Sequence, residues 1–512
     1  MFRRCSLLFL IVFALAAPLF AQEPSIEYSL ATSPAGEVQP VGHCESCAGA
    51  PACGCAATPC DCSAPCNCAV SACQCAKGAC GCGKAGGAKK PNPCATSHKP
   101  LFYNNDFSYL NNPNYHGHCL GDHFKQIPIG CEGKLDIGGQ LRLRYHHEVG
   151  MKGPQRFLDT VDDFLLTRLR LYTNYKVNPW LRLYVEGILA ESSFESYPPR
   201  QIDENQGDLL NAFVDLQVFD EVGLRVGRQE LLYGNQRLVS PLDWANTRRT
   251  FDGVKVMTKF DDWTADLFYT NPVIVAPYAF DEPDYDQSFY GMYSVYSGWD
   301  NNTLDLFYLG YDDQTNLFSI HTVGGRLNGG KCDWLWELEG GYQFGDASGV
   351  GVGQSAGYCT GGIGRKMSDM EWKPTLWLYM DYASGDTPGG DFNGFNQLFP
   401  LAHKYLGFID AVQRSNIQSP NVLLTASPTD KLDLLLWYYY FQSDTAAPVP
   451  SIGGTPNQNG GRYFGQELDL IAKYKLRPRS EILFGYSHFW RGSKIENPND
   501  ADFFYCEFTV NF

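Results

Sequence analysis

From Leu135 to Phe512 apolar and polar residues alternate with a period of two, in segment after segment. Leu141, Leu143 and Tyr145 alternate with Gln140, Arg142, Arg144 and His146. Leu169 and Leu171 alternate with Arg168, Arg170 and Tyr172, Leu183 and Val185 with Arg182, Tyr184 and Glu186, and Val214 and Leu216 with Phe213, Asp215 and Gln217. Successive side chains of a strand point to opposite faces, so each segment carries one apolar and one polar face. Arg142, Arg144, Arg168, Arg170 and Arg182 all fall on the polar face. An arginine at the bilayer midplane of a barrel costs about 2–4 kcal/mol, so in a membrane-spanning sheet this face must be the lumen. A soluble sandwich gives the same local pattern with the faces reversed. Length separates the two: the 380 residues from Gly133 show no convincing helical period, and 18 strands would leave about 21 residues for each strand and its connection. The expected fold is all-β, a transmembrane antiparallel β-barrel of about 16–18 strands over residues 135–512.

Other features agree. Residues 1–21 read as a signal peptide, with Arg3 and Arg4 before the apolar run Leu7–Leu15 and Ala21 at the cleavage point. No later apolar run is long enough to cross a membrane as a helix. Glycine (52), tyrosine (30) and phenylalanine (32) are abundant while mean hydropathy is only −0.27, as expected where every second strand residue faces water. Clustered Trp and Tyr at segment ends, as in Trp334-Leu335-Trp336, suit the interfacial girdles of a barrel. The last segment places Phe504, Cys506, Phe508, Val510 and Phe512 on one face. As the edge of a soluble sheet it would be an aggregation hazard. As a closing strand it resembles the C-terminal ends that barrel-insertion machinery reads. The expected location is the outer membrane, in contact with its lipid.

The stretch Gly223–Gly253 departs from regular alternation. Arg225 and Arg228 end one strand, Arg237, Arg248 and Arg249 follow, and alternation resumes at Val254. A connection this long in a compact domain is usually functional or disordered, and this one is too aromatic and apolar for disorder. It is expected to fold inward and line a pore. VGRQELLYGNQRLV (Val226–Val239) and LDWANTRRTFDG (Leu242–Gly253) resemble the signature of the alginate-export family of outer-membrane porins. Asp381–Asp386 (DYASGD) and Leu398–Asp410 (LFPLAHKYLGFID) agree with it, and the resemblance covers about Leu135–Phe512. It implies passive passage of an anionic polysaccharide such as alginate, or a related small solute. The pore would be lined by Arg142, Arg144, Arg168, Arg170, Arg182, Arg225, Arg228, Arg237, Arg248 and Arg249, with Glu186, Asp215 and Asp381 as acidic neighbours. A guanidinium presents a fixed fork that matches a carboxylate. The same arginines can instead pair with those acids and brace a wide barrel.

Residues 22–134 read as a Cys-rich flexible extension and connector. Thirteen of the 19 cysteines lie between Cys44 and Cys94, in a segment nearly free of large apolar residues and so unable to build a core. Five Cys-x-Cys pairs recur there: Cys53 with Cys55, Cys60 with Cys62, Cys66 with Cys68, Cys73 with Cys75, and Cys80 with Cys82. Disulfides are the first expectation for an exported chain. Soft metals such as Cu(I) or Zn(II) are the alternative, although the spacing fits neither a zinc finger nor a ribbon. His116, His118, Cys119 and His123 read as an incidental cluster in a polar loop.

Net charge is −16, and residues 256–512 hold nearly all of the excess acid. With no basic footprint, nucleic acid is not an expected partner. No nucleophile elbow, His-Glu-x-x-His or phosphate loop is present, so no enzyme activity and no cofactor are expected. The alternatives to export are a general or sugar-selective porin, and an outer-membrane enzyme or surface anchor.

Overall fold

The computed structural model describes residues 92–152, 156–347 and 351–512, all within the larger of the chain's two units. The signal peptide lies outside the described residues. So do all ten weak metal candidates of the Cys-x-Cys pairs: Cys53, Cys55, Cys60, Cys62, Cys66, Cys68, Cys73, Cys75, Cys80 and Cys82. Twenty strands follow in order: β1 (Ile127–Ile129), β2 (Gly133–Val149), β3 (Val161–Asn178), β4 (Leu181–Ser193), β5 (Asn205–Phe219), β6 (Val222–Gln229), β7 (Phe251–Phe260), β8 (Trp263–Ile274), β9 (Glu282–Pro283), β10 (Gln287–Trp299), β11 (Asn302–Asp313), β12 (Phe318–Lys331), β13 (Trp334–Ala347), β14 (Val352–Lys366), β15 (Thr375–Ala383), β16 (Ile417–Thr429), β17 (Leu432–Gln442), β18 (Tyr463–Arg477), β19 (Ser480–Arg491) and β20 (Ala501–Asn511). β1 and β9 are short. The other eighteen pair antiparallel with their neighbours, and β20 pairs with β2, from Gln140 opposite Asn511 to Val149 opposite Asp502. That pairing closes the barrel and leaves no edge, the condition for a sheet to stand in lipid.

The two ends differ. At one, most connections are two-residue turns, and Asp261 and Asn301 adopt the positive φ (47° and 56°) that Asp and Asn tolerate. The chain also enters and leaves the wall at this turn side. Trp180, Trp263, Trp299, Trp334 and Trp372 ring it on the outside, all substantially exposed, as in an interfacial girdle. The other end carries the long connections. Parity is as expected along the wall: Leu171 (51% exposed) and Val185 (50%) point out, while Arg168 and Arg170 are buried inside. The inward face is less polar than expected, because Phe251, Phe289, Trp377, Tyr439 and Phe489 also point inward and are buried. Phe399 of an inward loop covers Phe251 and Phe289, and Phe157, in the connection between β2 and β3, packs on Phe489.

The region before β2 is no loose spacer. Cys94 and Cys119 form a disulfide, so Cys94 belongs here rather than to the Cys-x-Cys segment. That bond also removes Cys119 from the His116–His123 cluster. Arg479, in the turn after β18, pairs with Asp122 at 2.8 Å and donates to Tyr109 Oη (2.7 Å) and Ser97 Oγ (3.1 Å). Lys125 Nζ donates to the Phe512 carbonyl at 3.2 Å. Residues 92–126 therefore form a strap clasped to the turn-side rim.

The clasp is expected to respond to pH. Burial, with Arg479 and Lys125 nearby, holds the His98 imidazole well below its ordinary value, against an opposing hydrogen bond at Phe512. Burial and Arg479 push Lys125 down to about 8, against Asp136 and Asp122. Each is a base that binds its proton more weakly when docked, so the undocked strap takes up more protons and docking weakens as pH falls. For Lys125 the weakening runs from its free value near 10.5 down to about 8, and for His98 it begins below about 6.5. Amide-exchange protection across Leu101–Phe107, corrected for intrinsic rates, should fall between pH 7.5 and 5. Protection that holds or rises over that range would contradict this account.

Candidate functional site

Two long connections fold into the barrel and meet there. Loop 230–250, between β6 and β7, and loop 384–416, between β15 and β16, join through a parallel bridge at Val239 and Phe399. Ser240 N donates to Phe399 O (2.8 Å), Phe399 N to Leu238 O (2.9 Å) and Leu401 N to Gln236 O (2.8 Å). The Phe399 ring meets Phe251, Phe289 and Tyr311 of the wall. Trp244 stacks flat on His403 of the other loop, with centroids 3.5 Å apart, while the Arg144 guanidinium lies 3.7 Å from its centroid. Leu231, Leu238, Ile409 and Val412 complete a buried apolar centre. The loops turn inward because they carry this apolar surface and the wall offers aromatic faces to cover it. Gly407 sits at φ 89°, where a Cβ would strike the Glu467 carboxylate, so glycine is required there.

The wall from β2 to β6 and loop 230–250 together carry all ten candidate arginines. Arg170 Nε donates to Glu186 Oε1 (2.7 Å) and lies 3.7 Å from Glu230, which Arg248 also contacts. Asn211 donates to both carboxylates, at 3.0 and 3.1 Å. Arg168 contacts Asp243 at 3.0 Å and Arg248 contacts it too. Arg142 and Arg144 reach Glu507 at 3.7 and 3.4 Å, and both also donate to carbonyls of the 243–245 segment. Arg182 and Arg225 share Asp215. Arg228 pairs with Asp252 at 2.8 Å, and Arg237 pairs with Glu337 and with Glu339 at 2.9 Å. Arg249 alone of the ten has no carboxylate within ion-pair range among the described residues, and donates to the Ser240 and Pro400 carbonyls.

Asp215 and Glu186 thus sit among the expected arginines. Asp381 does not: it pairs at 2.8 Å with Arg414, which sequence reasoning passed over. Also missed were Glu230 and Asp243, both of which lie inside the quoted motif. Glu337, Glu339 and Glu507 were missed as well. They belong to the acidic half, residues 256–512. Several of its acids, Asp305, Glu337, Glu339, Glu467 and Asp469, are buried on the lumen side. Among the described residues no group of three His, Cys, Asp or Glu is arranged to hold a metal.

The barrel is similar in fold to solved outer-membrane proteins of Pseudomonas aeruginosa. OccK8 (OprE) superposes with a TM-score of 0.54 at 13% identity, covering 74% of this chain and 98% of that one. OccK11 (OpdR) gives 0.51 at 13%, covering 74% and 96%, and OpdK solved with vanillate gives 0.52 at 12%, covering 74% and 98%. No curated relative matches in sequence. The alginate-export family model matches residues 134–506, the closed wall with its inward loops. The chain therefore belongs to the alginate-export family, as an outer-membrane β-barrel of porin type.

Proposed function

We propose that the barrel passes a carboxylated polysaccharide, or smaller anionic solutes, passively across the outer membrane, with the constriction arginines handing carboxylates from one to the next. The observation that carries this reading is Asp243. Its side chain is 53% exposed, yet its partners Arg168 and Arg248 are almost fully buried. Arg142 donates to the same residue's carbonyl at 2.8 Å. A carboxylate open to the lumen on a seat of buried guanidiniums occupies the place a sugar carboxylate would take. A contact that the chain already fills is one a passing anion can leave, as conduction requires.

Asp243→Asn removes the competing charge. It should shift the reversal potential of single channels toward anions and strengthen block by uronate oligosaccharides severalfold. The paired reversal Arg142→Glu with Arg168→Glu should shift selectivity toward cations and abolish block. If neither variant moves selectivity, the anion path is wrong. A second reading, a porin for neutral or mixed solutes whose arginines only brace the wall, draws on the acid partners of nine of the ten arginines. It expects the paired reversal to impair assembly while surviving pores keep their selectivity. In either case β20, with Phe512 directly after it, is the segment we assign to the insertion machinery.

A further inference from the structure

The strap's middle, Leu101–Phe107, does not stay at the rim. Phe102 lies under the Arg170 guanidinium, 3.9 Å from its centroid, and packs on Tyr172. The Tyr103 ring lies under Arg225 at 4.3 Å and meets Phe213 and Tyr184 edge-on. Its hydroxyl donates to Glu230 O at 2.8 Å, while Arg182 donates to Tyr103 O at 2.8 Å and Arg248 to Pro100 O at 3.3 Å. Leu101, Phe102 and Tyr103 are all buried. Arg170, Arg182 and Arg225, three arginines of the candidate path, are therefore covered from the turn side by the chain itself. We propose that Leu101–Phe107 is a plug that closes this wall from the turn side, and that its withdrawal opens the pore.

The geometry suits a reversible plug. The wall closes through β2 and β20 without the strap, so its departure leaves every spanning strand paired. The tip adds no strand to the wall and is held by ring and guanidinium faces and a few side-chain hydrogen bonds. Both shoulders are tethered, by the Cys94–Cys119 disulfide and by β1 paired to β2. The tip can therefore swing out and return. The faces it covers are the arginine and aromatic surfaces on which a carboxylated sugar would rest.

This inference rests on the lumen being the solute path, but its readout does not depend on solute charge. The test compares the full chain with a point variant carrying Phe102→Ala and Tyr103→Ala, and with a deletion of residues 22–124. Single-channel conductance in potassium chloride is read, with heat-modifiable migration reporting folding. A severalfold rise in mean conductance or open time in the point variant, matched or exceeded by the deletion, is the expected result. Equal conductance in folded parent and point variant overturns the proposal. If the deletion fails to fold, the point variant decides. If both fail to fold, the segment is a structural part of the barrel and the plug reading falls. A change in ion preference without a change in conductance would support the anion path and refute the plug.

Discussion

Replacing Glu230 with alanine is expected to cost the barrel about 3–5 kcal/mol, the usual penalty for removing one partner of a buried ion pair. Glu230 is fully buried at the start of loop 230–250, and its carboxylate lies between Arg248 and Arg170 while accepting from Asn211. Among the described residues, removing it leaves Arg248 with Asp243 as its one carboxylate partner and Arg170 with Glu186, in a site with little water to take over. Arg248 also holds a positive φ of 65°, uncommon for a residue with a Cβ, so its conformation depends on these bonds. Denaturant unfolding in detergent, followed by loss of heat-modifiable migration, measures the change. Glu230→Gln keeps the shape and a carbonyl acceptor and should lose less. Stability of the alanine variant within about 0.5 kcal/mol of the parent would show that the network holds nothing in place.

Replacing Trp244 with alanine is expected to unlatch the two inward loops. Trp244 is half-buried, so its truncation should cost less than the about 3–5 kcal/mol of a fully buried tryptophan, and the lost guanidinium contact with Arg144 adds about 0.5–2 kcal/mol. The loss falls on the contact between loops 230–250 and 384–416, because the Trp244 ring lies between Arg144 and His403. The wall should remain assembled while channel current becomes noisier and larger. His403 supplies a second readout. Burial holds its imidazole below the ordinary value, against the pull of Asp410. With its stacking partner gone and water admitted, its titration should move up toward about 6.5. Unchanged current together with an unmoved His403 titration would show that the loops are latched elsewhere, for instance through the Val239–Phe399 bridge alone.

The strand faces were legible in the sequence because they rest on a local rule and a severe penalty. A period of two is set by each strand's own backbone, and lipid rejects arginine wherever the strand sits in the barrel. That combination placed Arg142, Arg144, Arg168, Arg170 and Arg182 inside before any partner was known. The inward fold of loop 230–250 was legible for a similar reason, since so aromatic a connection needs cover. Loop 384–416 gave a weaker signal. It is rich in Gly, Asn and Asp, and such a loop is equally at home in outside water or in a wet lumen.

Partner identity needed the tertiary structure. Arg237 meets Glu337 and Glu339, and Arg142 and Arg144 meet Glu507, because barrel closure brings β20 beside β2 and the inward loop crosses to β13. Ion pairing depends on distances of a few ångströms, which periodicity along the chain does not encode. The role of the strap, most of which lies in the connector, was not legible for the same reason. Leu101, Phe102, Tyr103 and Phe107 form too small an apolar group to build a core alone, and only the arginine and aromatic wall of the lumen gives them one. The sequence by itself determined that this chain makes a closed barrel with arginines inward. Which acids neutralise those arginines, and which part of the chain covers them, was decided by closure of the barrel, which brings together residues that local patterning leaves far apart.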